Sequence, residues 1–252
     1  MADWLGLHGS RVLVAGAGGI GAAVVRGFLD AGADVTVVDS DSSRLVELAS
    51  SSSLDAAGGR AITIDLLEPN APNSVVKQMI DSCGGIDVFV HCVGVNDRRP
   101  ILDLSDDDWS HILGVNLTTA YRLGSAVGRE MVRQQSGRIV FLSSVAGLMA
   151  HRNHAPYAVS KGGLNQLMRS MASEWADVGV RVNAIAPGYV ETPLTAEHLG
   201  KPGVREALAS LVPAGQLGNT EQLVGPILFL ASRQAEFITG QVLYVDGGRT
   251  LV

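Results

Sequence analysis

The sequence has little charge, few cysteines and no long apolar run. Charged residues occupy 17% of its 252 positions, and the formal net charge is −6 with no cluster of lysine and arginine. Without a basic patch, nucleic acid and anionic membrane surfaces are not expected partners. No apolar run reaches the roughly 18 to 20 residues that cross a bilayer, and residues 1–10 do not look like a signal peptide. We therefore expect a cytoplasmic protein, whose two cysteines are too few for a disulfide framework.

Apolar residues, by contrast, make up 46% of the chain, enough for a large core. Many fall in short runs rich in valine and isoleucine, which are predicted strands. These runs are Val12–Ala15, Asp34–Asp39, Ala61–Asp65, Ile86–Cys92, Arg138–Ser143, Val180–Ala186 and Val242–Val245. The longer stretches with helical spacing include Ile20–Ala31, Arg44–Ser50, Asn73–Ser82, Asp106–Met131, Ala158–Ala176 and Glu221–Ala231. This alternation predicts an α/β fold, in which a doubly wound, mostly parallel, Rossmann-like sheet of seven strands has helices on both faces.

The length fits one domain over residues 1–252, since single α/β domains of this size are common. Ser105 and Thr220 each precede acidic residues and are predicted helix N-caps. The stretch before Thr220 is irregular and rich in glycine and proline. Residues 188–218 of this stretch are a candidate substrate lid.

A glycine motif follows the first predicted strand directly. Gly16, Gly18 and Gly21 form G-x-G-x-x-G, with Gly19 and Ile20 between the last two, and the first helix begins there. Glycines at such a junction let the backbone approach a pyrophosphate at the positive end of a helix. The motif alone is weak and also occurs in structural turns, but its position favours a dinucleotide site.

Asp39 ends the second predicted strand, 18 residues past Gly21. A carboxylate there accepts a hydrogen bond from the adenosine 2′-hydroxyl group and repels a 2′-phosphate. The alternative is that Asp39 caps the following helix. No basic residue is expected beside Asp39, and Arg44 is expected to lie too far into the helix to clamp a phosphate. The sequence therefore favours NAD over NADP as cofactor.

Tyr157 and Lys161 are four residues apart at the start of a predicted helix, so their side chains share one face. An ammonium group one turn away favours the phenolate, which is the tuning expected of a general acid/base. A surface Tyr–Lys pair is the alternative explanation of this spacing.

With these residues the chain resembles the short-chain dehydrogenase/reductase family over about residues 11–248, and is nearest to its gluconate and polyol dehydrogenases. The family signature Y-x-x-x-K corresponds to Tyr157 and Lys161. The resemblance implies that Ser144, 13 residues before the tyrosine, binds the substrate oxygen and that Asn116 is the catalytic asparagine. It also implies a homotetramer. The cofactor contacts that it implies are Asp65 and Leu66 at the adenine, and Gly94, Pro187, Gly188, Val190 and Thr192 nearer the nicotinamide.

The chain departs from this family in two places. The glycine loop is one residue shorter between Gly16 and Gly19 than the usual T-G-x-x-x-G-x-G. The usual N-N-A-G after the fourth strand is replaced by a segment that begins His91-Cys92. The hydrogen bonds of that asparagine must therefore come from elsewhere. Six histidines are present without metal-ligand spacing, so no metal is expected.

These observations together predict an NAD-dependent oxidoreductase for a secondary alcohol or ketone. A small polar substrate is favoured, such as a polyol, sugar or sugar acid. Arg98 or Arg99 would pair with its carboxylate, whereas Asn96, His151 and His154 would meet its hydroxyl groups. Alternatively, both arginines face solvent or another subunit. Because residues 192–213 contain several leucines, a bulkier apolar ketone, 3-oxoacyl or steroid-like, is an alternative substrate. A non-catalytic NAD-binding regulatory protein is a further alternative, against which the intact catalytic residues argue.

Overall fold

The structure, a computed structural model, describes residues 3–252, and its centre is a sheet of seven strands. The strands are β1 Arg11–Ala15, β2 Asp34–Asp39, β3 Arg60–Thr63, β4 Val88–His91, β5 Gly137–Leu142, β6 Val180–Pro187 and β7 Val242–Val245. All neighbouring pairs are parallel, in the order β3-β2-β1-β4-β5-β6-β7. The predicted doubly wound parallel sheet is confirmed. The winding reverses between β1 and β4, where open α/β sheets bind their ligands.

The helices between the strands lie close to their predicted positions. They are α1 Gly19–Asp30, α2 Ser42–Ser51, α3 Ala71–Cys83, α4 Asp106–Leu113, α5 Thr119–Gln134, α6 Ala155–Trp175, α7 Pro193–Leu199, α8 Val204–Ala209 and α9 Glu221–Leu230. The sequence did not indicate α7 and α8, which lie within the candidate lid. Within residues 3–252, the helices fall short of the length and apolar character that a membrane crossing requires.

The stretch Asp106–Met131, predicted as helical, is helical throughout but contains an irregular turn. A π-turn over Gly114–Thr118 separates α4 from α5, and the Thr119 N–H bonds to the Gly114 carbonyl five residues back. This wider turn adds one residue to the helical path without a break in the chain direction. It therefore changes which side chains face the sheet.

Two apolar layers enclose the sheet, because side chains alternate between its faces along each buried strand. On β1, Val12 and Val14 pack into the layer of α1, α2 and α9, whereas Leu13 and Ala15 pack into the layer of α3, α5 and α6. Both layers are closed to solvent. Among the buried polar residues of the strands, Asp39 and His91 lie at carboxyl ends, whereas Thr36 and Asn183 lie inside β2 and β6.

The two predicted helix caps have different outcomes. Ser105 forms a capping box with Asp108, as predicted for the start of α4. Thr220 is not a side-chain cap, since its backbone is already helical. Asn219 takes this role instead, and its side chain accepts from the Gln222 N–H at 3.1 Å.

Candidate functional site

The carboxyl ends of β1, β4, β5 and β6 open into a cleft of about 1250 Å³. Its walls contain every predicted catalytic and cofactor residue except Asn116. The residues lining it are Gly16, Gly18, Gly19, Ile20, Gly21, Asp39, Asp65, Leu66, Gly94, Ser144, Tyr157, Lys161, Pro187, Gly188, Val190 and Thr192. Sequence reasoning missed Tyr189 and His198 and dismissed Arg44, which also line the cleft. The signal for Tyr189 was its position directly after Pro187-Gly188, at the carboxyl end of β6.

The glycine loop has the shape of a phosphate cradle. Gly16 has a φ of +98°, and a Cβ atom there would lie 3.1 Å from the backbone of Cys92. A Cβ atom on Gly21 would lie 1.9 Å from the Gly16 carbonyl oxygen. Gly18 is the N-cap residue of α1, and the described part of the chain provides this helix start with no side-chain cap. The N–H groups of the first helical turn are thus left for an anion, so the shortened loop fits a dinucleotide pyrophosphate.

Asp39 lies beside this loop and is 8% exposed. Its carboxylate accepts from the Ala17 N–H at 2.7 Å and from the Asp41 N–H at 2.9 Å. The alternative that Asp39 caps α2 is wrong, because Asp41 accepts from the Ser43 N–H and caps that helix. Asp39 instead fixes the glycine loop against the end of β2.

Arg44 lies beside Asp39, where the sequence predicted no basic residue. Its guanidinium group lies 3.9 Å from the Asp39 carboxylate and 3.4 Å from that of Asp41. Side chains in a helix lean toward the helix N-terminus, so Arg44 reaches back over the first turn of α2. The expectation that no basic residue lies beside Asp39 is therefore wrong.

Ser144, Tyr157 and Lys161 lie around one end of the cleft. Ser144 follows β5 by two residues, and its hydroxyl accepts from the Ala146 N–H at 3.1 Å. Tyr157 and Lys161 lie in the first two turns of α6, and the Lys161 Nζ atom is 5.7 Å from the centre of the Tyr157 ring. Lys161 is buried and donates to the Leu142 carbonyl oxygen at 2.7 Å. The predicted proton-transfer residues thus share one face, as their spacing indicates.

Burial dominates the titration of this group. It raises the pKa of Tyr157 above its ordinary value, and the nearby Ser144 hydroxyl and Arg98 oppose this only in part. Burial also lowers the pKa of Lys161 to about 8. The pKa of the tyrosine therefore moves opposite to the expected direction, because desolvation outweighs the Ser144 hydroxyl group and the charge of Arg98. The phenol is protonated at neutral pH.

Asn116 lies in the π-turn and is fully buried behind the cleft wall. Its side-chain oxygen accepts from the Val95 N–H at 2.8 Å, and its amide nitrogen donates to the Val95 carbonyl at 2.9 Å and to the Ser160 hydroxyl at 3.0 Å. These bonds join the loop after β4 to α6. A Cβ atom at Gly94 would lie 3.5 Å from both Asn116 and Lys161, so this loop lies close against the Lys161 side chain.

His91 ends β4 and Cys92 follows it, in place of the usual asparagines. The Thr119 hydroxyl donates to the Val115 carbonyl at 2.5 Å, so the His91 Nε2 atom, 3.2 Å from that hydroxyl, is its donor. Burial and then the charge of Lys161 lower the pKa of His91 to about 3, which keeps the imidazole neutral. Burial also raises the pKa of the Cys92 thiol to about 12. His91 thus anchors the start of α5.

The two neighbouring arginines after β4 differ in their surroundings. Arg99 is bound to Asp97 and, at 2.7 Å, to Asp108, so it is not available to a substrate. Arg98 lines the cleft and has no hydrogen-bond or ion-pair partner within residues 3–252. Desolvation lowers the pKa of Arg98, and its charge contributes to lowering the pKa of His154. Of the two arginines, only Arg98 is therefore free to meet an anion.

The described part of the chain brings no three His, Cys, Asp or Glu side chains together as metal ligands. The cleft instead combines a phosphate cradle with a hydroxyl, a phenol and an ammonium group. This set of groups suits proton transfer beside a dinucleotide.

Comparison with known proteins identifies relatives along the whole chain. A family model described as enoyl-(acyl carrier protein) reductase matches residues 14–250. The 3-oxoacyl-[acyl-carrier-protein] reductase of Vibrio harveyi is 35% identical over 98% of this chain and 100% of its own length. The gluconate 5-dehydrogenase of Gluconobacter oxydans is 34% identical over 99% of this chain and 98% of its own. The crystal structure of a gluconate 5-dehydrogenase from Burkholderia cenocepacia with NADP and tartrate has a TM-score of 0.94 at 32% identity, covering 99% of this chain and 98% of that one.

These relatives include two substrate classes at nearly equal identity, so the comparison assigns the type of enzyme and not its substrate. A chain that matches such reductases and dehydrogenases from end to end, at more than 30% identity, belongs to their family. It is a member of the short-chain dehydrogenase/reductase family, the NAD(P)-dependent oxidoreductases that act on CH–OH groups.

Proposed function

We propose that the protein interconverts a secondary alcohol and its ketone on a small, polar, anionic substrate such as a sugar acid, with NAD as cofactor. The observation that carries this proposal is the unpaired guanidinium group of Arg98 on the wall of the cleft. A guanidinium group binds a carboxylate through two parallel hydrogen bonds, so an acid group near the reacting carbon would satisfy it.

The residues divide the chemistry as follows. The glycine loop and Asp39 would hold the dinucleotide, which would supply the hydride chemistry of its nicotinamide ring. Ser144 donates a hydrogen bond to the substrate oxygen, and Tyr157 gives that oxygen a proton in ketone reduction or takes one in alcohol oxidation. Because burial keeps the phenol protonated at neutral pH, Tyr157 can donate the proton that ketone reduction requires. The ammonium group of Lys161 stabilises the phenolate after the proton has left.

Asp39 supports the choice of NAD. Its buried carboxylate lies at the end of β2 beside the glycine loop, where it would accept from a ribose 2′-hydroxyl and repel a 2′-phosphate. Arg44 is the opposing feature, since a guanidinium group at this position would attract the same phosphate. We infer that Asp39 determines the preference for NAD, because it is buried and fixed by two backbone N–H groups while Arg44 is largely exposed.

We also infer one catalytic domain over residues 1–252, with residues 188–218 as its substrate lid. The base of this segment is closed by an isolated bridge between Val190 and Gly218. The Glu191 N–H also bonds to the Gly218 carbonyl at 3.0 Å. We infer that α7 and α8 move as one unit about these two ends.

A second candidate is the reduction of a 3-oxoacyl thioester. Leu194, Leu199 and Leu208 of the lid line the cleft and offer an apolar wall to an acyl chain. The relative from Vibrio harveyi bears the name of such a reductase. This candidate explains the leucines but leaves Arg98 without a partner near the reacting carbon.

The test compares kcat/KM for sugar acids, matched neutral polyols and a 3-oxoacyl thioester. We expect sugar acids to be preferred, and Arg98→Gln to reduce their kcat/KM by about tenfold or more while polyols change little. Arg99→Gln is the matched control, because it removes an arginine that is already paired and should not change the ratio between acids and polyols. Preference for the thioester, with no effect of Arg98→Gln on any ratio, would favour the second candidate.

A further inference from the structure

Asn96 and His154 form a hydrogen-bonded pair beside the catalytic tyrosine. Asn96 lies in the loop after β4, and His154 is the residue immediately before α6. The Asn96 Nδ2 and His154 Nε2 atoms are 3.3 Å apart. The centre of the His154 ring is 5.5 Å from that of Tyr157, and His154 is 6% exposed. Both residues line the cleft.

Each member of this pair has a second polar atom without a partner. The Asn96 Oδ1 and His154 Nδ1 atoms are buried, and neither has a hydrogen-bond partner within residues 3–252. Buried polar atoms of folded proteins are nearly always bonded, so two such atoms in one pair call for an explanation. A ligand in the cleft provides one.

The chemistry of the pair defines what that ligand must offer. If the Asn96 amide donates to Nε2, the imidazole proton is on Nδ1, and the amide keeps a free acceptor oxygen and a second N–H. If the amide is turned over, Nε2 donates to Oδ1, and the amide nitrogen keeps its N–H donors. A hydroxyl group both donates and accepts, so it can bond to the free Asn96 atom in either orientation.

The charge state of His154 excludes a carboxylate as the partner of this pair. Burial chiefly, and then the charges of Arg98 and other neighbours, lower the pKa of His154 to about 4. The imidazole is therefore neutral at pH 7 and offers no charge to a carboxylate. Arg98 is the group for an anion, and the Asn96–His154 pair is suited to a neutral oxygen.

We infer that Asn96 and His154 bind a hydroxyl group on the carbon next to the reacting carbon, so that the preferred substrates are vicinal diols and α-hydroxy ketones. The rings of His154 and Tyr157 are neighbours, and an adjacent carbon is the nearest position that a second oxygen can occupy. The Asn96 amide reaches the substrate by rotation about its last side-chain bond, whose torsion is broad. This inference rests on the proposed function in taking Tyr157 as the residue that binds the reacting oxygen.

Two small neutral ketones that differ in this one hydroxyl group provide the test. Reduction of 3-hydroxy-2-butanone is compared with reduction of 2-butanone, with NADH and NADPH, so that Arg98 has no anion to bind. We expect the wild-type enzyme to prefer the hydroxy ketone in kcat/KM. His154→Phe and Asn96→Leu should lower this preference about tenfold or more, chiefly by raising KM for the hydroxy ketone. The kcat/KM for 2-butanone should change by less than about twofold.

Two further variants separate recognition from packing. His154→Gln keeps a donor and an acceptor and should retain part of the preference. His8→Phe makes the same change at a histidine that does not line the cleft, and should leave the preference unchanged. Equal losses for both ketones in His154→Phe, or no preference in the wild-type enzyme, would overturn the inference. If sugar acids are not substrates but the hydroxy ketone preference depends on His154, the proposed substrate fails and the role of the pair stands.

Discussion

Replacement of Asp39 by asparagine tests the choice between NAD and NADP at its structural origin. The carboxylate is 8% exposed and accepts from two backbone N–H groups, Ala17 at 2.7 Å and Asp41 at 2.9 Å. Asparagine has the same shape and keeps one acceptor oxygen. The substitution therefore removes the negative charge while the glycine loop keeps an anchor.

The expected loss of kcat/KM for NAD follows from the hydrogen bond that is removed. A hydrogen bond to a charged group contributes roughly 1.5–3 kcal/mol, and about 1.4 kcal/mol corresponds to tenfold. Loss of the bond from the ribose hydroxyl to Asp39 should thus lower kcat/KM for NAD by about 10- to 150-fold. NADP should gain, because the repulsion ends and Arg44, 3.9 Å away, is released to pair with the 2′-phosphate.

The assay is steady-state kcat/KM for NADH and NADPH at one fixed ketone concentration. The wild-type enzyme should favour NADH by about tenfold or more, and Arg44→Ala should increase that preference. Asp41→Asn is the matched control: it removes a carboxylate that also lies near Arg44 but is exposed and caps α2, a role that asparagine fills. A wild-type preference for NADPH, or equal effects of Asp39→Asn and Asp41→Asn, would refute the assignment.

Three further predictions concern catalysis, acid stability and assembly. Tyr157→Phe should lower turnover by about a hundredfold or more with unchanged NAD binding by calorimetry, because only the proton-transfer group is removed; normal turnover would contradict the mechanism. Since burial lowers the pKa of His91 from 6.5 to about 3, only the unfolded chain takes up this proton between those values, and stability is lost as pH falls. Urea unfolding at pH 7 and pH 4.5 should reveal this loss, and His91→Asn should reduce it; an unchanged pH dependence would be inconsistent with a neutral buried imidazole. The protein should be a homotetramer by light scattering at micromolar concentration, since Leu102, Phe237 and Leu251 are 93%, 103% and 82% exposed and need cover, whereas a monomer would disprove it.

The sheet could be predicted from the sequence because its inner strands, such as β1, β2 and β4, are buried on both faces. Such strands are short, continuous apolar runs, as in Val35, Val37 and Val38 of β2, and their alternation with helices leaves few topologies. The π-turn could not be predicted in this way. It changes the hydrogen-bond partner of Thr119 by one residue but leaves the composition of the segment helical.

The site was predictable where a motif fixes local geometry and unpredictable where long side chains or distant residues meet. Tyr157 and Lys161 were predicted from their spacing together with the family signature that this spacing matches. The position of Arg44 depends on the direction in which its side chain leans, and the pairing of Asn96 with His154 joins residues 58 positions apart. The rise in the pKa of Tyr157 was missed because the sequence gives the neighbouring charge but not the depth of burial.

Because all seven strands are parallel, the edge of the sheet opposite the cleft carries none of the proposed site residues. Every strand delivers its carboxyl end toward the cleft, so the turns that lead into the strands lie at the opposite edge of the sheet. The turn before β3 contains exposed residues at 55–58, and a Cβ atom at Gly58 would meet nothing within 4 Å. A peptide handle inserted at Gly58 would therefore tether the enzyme to a solid support with its cleft facing the solution, and reactions on that support would keep full access to cofactor and substrate.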